Sequence, residues 1–281
     1  MNRFRQWTIA CVMGMTTTPL LAQSSPWLPV PKTGSVTISQ VSQTADRFYR
    51  GSSAIGIPFG ELEQNTTWVS VAYGATDALA VDARIGRSAV DAGPVGEDKG
   101  PTDMTVGVTW RLLDEATDPG MPSFAVRLGL VRAGDYDVGR PNAIGDGGDG
   151  YEASLLVGKI IAEQFALSAD LGIRSLNNDV PQQTLFTATA HWVTPIPALS
   201  VRAQYHQQRS DGDLDIGGSG FSPPRFPEVT EDIDRVSVGA TFSQGPFSIG
   251  VDRFNTTGAR NTGDFDAWAV SVGYHFDLYR P

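Results

Sequence analysis

The stretch AWAVSVGYHFDLYRP, residues 267–281, decides the fold. Trp268, Val270, Val272, Tyr274, Phe276 and Leu278 alternate with Ala267, Ala269, Ser271, Gly273, His275 and Asp277. Successive side chains of a strand point to opposite faces, so one face here is large and apolar and the other small or polar. Helical spacing would mix the two sets. Such a strand needs an apolar medium on one side and water or polar partners on the other.

The same period of two runs back through the chain. It marks strands over 67–74, 79–87, 103–112, 123–132, 151–160, 165–174, 184–194, 199–208, 233–243 and 247–255, before the closing stretch. A first strand falls somewhere in 35–49, where alternation is poorest. Short connections (GATDA, DEATDPGMP, AEQ, PIPA, QGP) follow every second strand, and the others are mostly longer and richer in Gly, Asp and Asn, as in 133–150 and 209–231. Short turns at one end and long loops at the other describe an up-and-down barrel in an outer membrane, whereas a soluble sandwich has no reason to sort its loops. Aromatic residues give an independent check. Tyr73, Trp110, Phe124, Phe165, Trp192, Phe242, Phe247 and Phe276 fall at short-turn ends, and Tyr151, Phe186, Tyr205 and Trp268 near long-loop ends. Two belts of amphipathic rings match the two interfaces of a bilayer. The expected fold class is all-β, an up-and-down antiparallel transmembrane β-barrel of about twelve strands.

Residues 1–23 have the layout of a cleaved secretory signal: Arg3 and Arg5, the apolar run WTIACVMGM, then small residues. The expected domains are this leader, a short Pro-rich periplasmic N-terminal segment over 24–34, and an outer-membrane barrel over 35–281. The single cysteine, Cys11, falls in the leader, so no disulfide or cysteine–metal site is expected in the exported chain. Losing Arg3 and Arg5 takes the formal charge from −10 to −12. That acidity argues against nucleic acid as a partner. No run of apolar residues is long enough for a helical span, but alternation hides barrel spans from such a test. The expected location is the cell outer membrane of a Gram-negative bacterium. The expected partners are outer-membrane lipid and lipopolysaccharide, a small-molecule solute, and the barrel-assembly machinery through the C-terminal strand. SVGYHFDL resembles the C-terminal signal of bacterial outer-membrane barrels, with Ser271, Gly273, Phe276 and Leu278 at its positions and YRP extending beyond them.

VAYGATDALAVDARI, GPTDMTVGVTWRLL, SFAVRLGLVRAGDYDVG, GDGGDGYEASLLVGK and LSADLGIRSL together resemble small outer-membrane barrels of the meta-pathway of phenol degradation family. The resemblance is close over about half the chain, with GPTD standing where that family more often has a Gly-Asp pair. It implies a transporter or channel for small molecules, hydrophobic or aromatic ones among them.

The face opposite the apolar one gives the lumen-lining candidates Asp82, Arg84, Arg127, Asp170, Arg202 and Asp252, with Glu152, Arg174 and the three histidines on the same parity. Two arrangements suit them: a narrow mixed-charge channel, or an ion-pair network that fills the lumen and braces the wall. A barrel of this size is compatible with either. No enzyme is expected. A membrane-facing Ser–His pair is required for outer-membrane esterases, and His191, His206 and His275 all have lumen parity. No metal site or cofactor is expected either. DGDLD, residues 211–215, continues with Ile216 where a calcium loop needs Gly, and GDGGDG, residues 145–150, occurs once. The expected function is passage of small solutes, with a non-conducting structural or loop-binding barrel as the alternative.

Overall fold

A computed structural model describes residues 25–57, 60–140, 142–162 and 164–278. The expected leader and the final YRP lie outside the described residues. The strands are β1 (Thr33–Ala45), β2 (Arg47–Arg50), β3 (Ser53–Gly56), β4 (Leu62–Gly74), β5 (Leu79–Asp91), β6 (Glu97–Pro101), β7 (Met104–Leu113) and β8 (Ser123–Arg132). They continue with β9 (Gly150–Ala162), β10 (Phe165–Leu176), β11 (Gln183–Val193), β12 (Leu199–Ser210), β13 (Asp232–Gln244), β14 (Phe247–Arg260) and β15 (Asp266–Asp277). β1 pairs antiparallel with both β15 and β4, β4 pairs with β5, and neighbours then pair in sequence from β5 and β7 round to β15. The result is a closed twelve-stranded antiparallel barrel, with β6 extending β5 and β2–β3 forming a separate hairpin. Closure pairs every backbone ladder and leaves no free edge in the wall.

Alternation sets which side chains face out. Leu128, Leu130, Leu155, Leu167, Val238, Ile249, Val270 and Val272 are exposed, and with their neighbours form an apolar band on the outer wall. The alternate positions carry buried small and polar groups, including Thr37, Ser39, Thr66, Ser88, Thr109, Thr187, Thr189 and Gln204. This inverts the arrangement of a water-soluble domain, and an apolar surface of this extent marks contact with another apolar phase. At the short-turn end, Gly245 takes φ 59° in the tight Gly245–Pro246 connection, a conformation open to glycine.

The strand boundaries expected near 35–49 and 67 shift. The first strand covers 33–45, so it takes in two residues assigned above to the N-terminal segment, and 47–50 belongs to the β2–β3 hairpin. β4 starts at Leu62, five residues early, and β14 runs on to Arg260. These extensions rise past the apolar band, where Glu63, Gln64, Asn65, Thr66, Thr256 and Thr257 break the alternation, yet the ladder hydrogen bonds continue.

The two ends are covered differently. At the long-loop end an apolar cluster of Ala45, Ile57, Leu62, Val90 and Ala92 packs with Phe48, Ile144 and Phe265. The hairpin is tied to its neighbours by the Phe48–Gly263 bridge, an Arg47–Asp264 ion pair of 2.5 Å and bonds from Arg50 to the carbonyls of Ile216 and Gly217. At the short-turn end, residues 25–32 do the covering.

Candidate functional site

Three groupings occupy the interior of the ring. The first is a chain of ion pairs on β5 and β8–β10. Arg127 donates through Nε to Asp82 Oδ1 at 3.0 Å and through Nη2 to Oδ2 at 2.6 Å, and its Nη1 donates to Glu152 Oε2 at 3.0 Å. To reach Asp82 the guanidinium crosses over β7, which is glycine there: a Cβ at Gly107 would collide with it, and one at Gly129 would lie 2.9 Å from Nη1. Glu152 Oε1 accepts in turn from Arg174 Nε at 2.8 Å and Nη2 at 2.6 Å. Arg174 then contacts Gln183 at 3.5 Å, and Gln183 donates to Asp146 in the 133–149 loop at 3.4 Å. Arg202 forms a second pair with Asp252 and donates to Thr241 at 3.4 Å, while Arg202 Nε and Asp252 Oδ2 are buried without a partner.

The second grouping is a stripe across six contiguous strands. In ring order it comprises Arg235 on β13, Phe254 on β14, Ala267 and Ala269 on β15, Val41 on β1, Trp68 on β4 and Arg84 on β5. The Arg84 guanidinium lies 3.6 Å above the Trp68 ring, and that of Arg235 lies 5.0 Å from the Phe254 ring. Such contacts are worth about 0.5–2 kcal/mol each. The Nε of each arginine is buried with no hydrogen-bond partner. Among the described residues, no ion pair engages Arg84 or Arg235.

The third grouping closes the short-turn mouth. Trp27 is 4% exposed and packs on Ala166, with Ile160 and Val193 beside it and His191 edge-on at 6.0 Å. Its indole Nε1 donates to Glu115 Oε1 at 2.7 Å, and Glu115 Oε2 accepts from the backbone N–H of Ile160 at 3.0 Å. A Cβ at Gly158 would strike the Trp27 ring, so the segment needs that glycine. Five residues on, Lys32 donates its N–H to the carbonyl of Gly74 at 2.7 Å and the chain enters β1. β10 stands half-way round the ring from β1. Residues 25–32 therefore cross the mouth as a strap.

The long-loop mouth is acidic. Tyr136 donates to Asp103 and accepts from the N–H of Gly147 at 3.0 Å, which folds the 133–149 loop inward. Burial, with Asp103 beside it, pushes the Tyr136 hydroxyl well up. Burial raises the Asp146 carboxyl above the ordinary carboxylate range. Glu231, at the foot of β13, is pushed up to about 7, by burial first and then by Asp146.

Of the residues singled out above, the structure places Asp82 and Arg127 in one ion pair, Arg202 and Asp252 in another, Arg84 on Trp68, and Asp170 half-buried on β10. It does not gather the six into one cluster. Glu115 and Trp27 were illegible as site residues, being in a turn and an extended segment without a pattern. Trp68 and Phe254 carried a signal that could have been used: both sit on the inward parity of their strands, where small or polar residues are the rule. Among the described residues, no group of three or more potential ligands could hold a metal ion.

No family model matches the chain, and no curated protein matches it. Among solved structures, it is similar to the COG4313 outer membrane channel from Pseudomonas putida F1, with a TM-score of 0.69 and 16% identity over 89% of this chain and 97% of that one. It is also similar to the KdgM porin, with a TM-score of 0.51 and 6% identity over 85% of this chain and 99% of that one. The likeness is one of fold. It agrees with the strand order and closure described above.

Proposed function

We propose that this chain is an integral outer-membrane channel that passes small solutes, hydrophobic and aromatic ones among them, through a narrow mixed-charge lumen. One observation carries the reading: a closed wall presents large apolar side chains outward and charged and polar groups inward. In a bilayer that wall satisfies its backbone internally and sets its apolar band against lipid. The fold shared with solved outer-membrane channels, and the resemblance of residues 71–176 to the meta-pathway barrels, support it. On this reading the short-turn end, with the strap, faces the periplasm and the long loops face outward, and export precedes assembly in the outer membrane. Purified barrel in planar bilayers is expected to give discrete conductance steps. An absence of steps from folded, heat-modifiable protein would refute the reading.

A second reading has its own support. The buried Arg127 and Arg202 pairs and the strap suit a filled, non-conducting barrel whose long loops engage partners or lipopolysaccharide. It expects silence in the same bilayers, both from the intact chain and from variants with the strap loosened.

A further inference from the structure

Residues 142–149 lead into β9, and their side chains reach both ways round the long-loop mouth. Asn142 is buried and donates to the carbonyl of Gly96 at 3.2 Å, and Ile144 packs on the apolar cluster that includes Ala45, Leu62 and Val90 at the tops of β1, β4 and β5. Asp146 turns the other way and accepts from Gln183 on β11 at 3.4 Å. Gly147 donates its N–H to the Tyr136 hydroxyl at 3.0 Å and accepts from Asn178 at 2.7 Å. β5 stands three strands from β9 on one side and β11 two strands on the other. The segment therefore lies across the mouth.

A second carboxylate arrives at the same place from the loop before β13. Glu231 Oε2 accepts from Gln208 on β12 at 3.4 Å, and the Glu231 carbonyl accepts from Ser210 Oγ at 2.5 Å. In the β11–β12 ladder Gln183 stands opposite Ser210 and Leu185 opposite Gln208. The two glutamines, both buried, are thus diagonal neighbours about 7–8 Å apart, and the carboxylates they hold come side by side. Among the described residues neither carboxylate has an ion-pair partner. Arg174 is committed to Glu152 at 2.8 and 2.6 Å, and Arg235 lies on the Phe254 ring. Asp103 adds negative charge beside Asp146, and Tyr136 adds only a neutral hydroxyl. His206, two residues below Gln208, is turned to Thr187 at 3.0 Å, and Asp232 accepts from the N–H of Ser210 at 3.0 Å. Thr262 hydrogen-bonds Glu231. Two unpaired carboxylates in one partly buried place repel when both are charged, which favours keeping a proton there. Burial and then Asp146 push Glu231 up to about 7.

We propose that residues 142–149 are a pH-sensitive latch over the long-loop mouth, shut while Asp146 and Glu231 keep a proton between them and released when both are charged. The latch rests on the channel reading only for its effect on current, and its movement is testable without conduction. The shut form binds a proton that the released form, with carboxyls in water, gives up. It is favoured below the ordinary glutamate value of 4.5, loses ground as pH rises to about 7, and then levels off. One proton sets the slope at up to about tenfold per pH unit. Hydrogen–deuterium exchange of the folded, detergent-solubilised full chain, corrected for the intrinsic pH dependence of amide exchange, reads the equilibrium. Protection of peptides covering 142–149 should fall by several-fold or more between pH 5 and 7, while that of the wall peptide 123–132 stays constant. Glu231→Gln and Asp146→Asn each remove one of the two charges and should make the protection of 142–149 independent of pH; if one variant fails to fold, the other decides. Protection indifferent to pH in the unaltered chain, or an unchanged pH response in the neutral variants that fold, overturns the proposal. Current in bilayers should rise over the same pH window. A pH-dependent release in a barrel that never conducts would retain the latch and refute the channel.

Discussion

Replacing Arg127 with Met measures how dry the interior is. The Arg127 side chain is 4% exposed, and those of Asp82 and Glu152 are 11% and 12% exposed. Three charge-assisted bonds are lost, at 3.0, 2.6 and 3.0 Å. Glu152 keeps Arg174, so the burden falls on Asp82, which has no other partner among the described residues. Stranding one member of a buried pair costs about 3–5 kcal/mol, whereas a pair bathed in water is worth about 0–1 kcal/mol. Urea unfolding of the barrel in lipid vesicles, followed by tryptophan fluorescence, is expected to show the larger loss for Arg127→Met. The double variant Arg127→Met with Asp82→Leu should recover most of it, because the unpaired charge is gone. Asp82→Asn alone should cost less, since Arg127 retains Glu152. A loss below about 1 kcal/mol, or a double variant no more stable than the single, would show that water screens the pair and that this wall of the lumen is an open aqueous surface.

Trp27→Ala or Glu115→Ala loosens the strap, and single-channel conductance should rise by about twofold or more if the mouth is the constriction. Unchanged conductance would place the narrowest point elsewhere. Glu231 is protonated below about pH 7 and charged above it. Cation preference, read from the reversal potential in a salt gradient, should therefore strengthen as pH rises through 7, and Glu231→Gln should flatten that dependence. Leu128 is 63% exposed on the outer band. Leu128→Arg should cost about 2–4 kcal/mol in a bilayer, against about 0.5 kcal/mol or less at an ordinary wet surface, and a near-neutral result would refute the lipid-facing assignment.

The wall was legible because lipid and lumen impose opposite demands on alternate residues, and β8 was bounded to the residue at Ser123–Arg132. Legibility failed where that contrast ends. Residues 63–66 and 256–260 form ladder above the apolar band, where neither parity needs a large apolar group, so β4 and β14 looked shorter than they are. Parity identifies a face but not a partner. Asp82 and Arg127 are inward on β5 and β8, and only the glycine at 107 lets one reach the other across β7. The most informative residues broke the pattern: Trp68 and Phe254 are large and apolar on the polar side. In a wall that spends its bulky hydrocarbon on the outside, a large inward ring must be matched by something within. Here the match on one side is an arginine without a counter-ion. Exceptions to the alternation, more than the alternation itself, therefore locate the chemistry in a barrel of this kind.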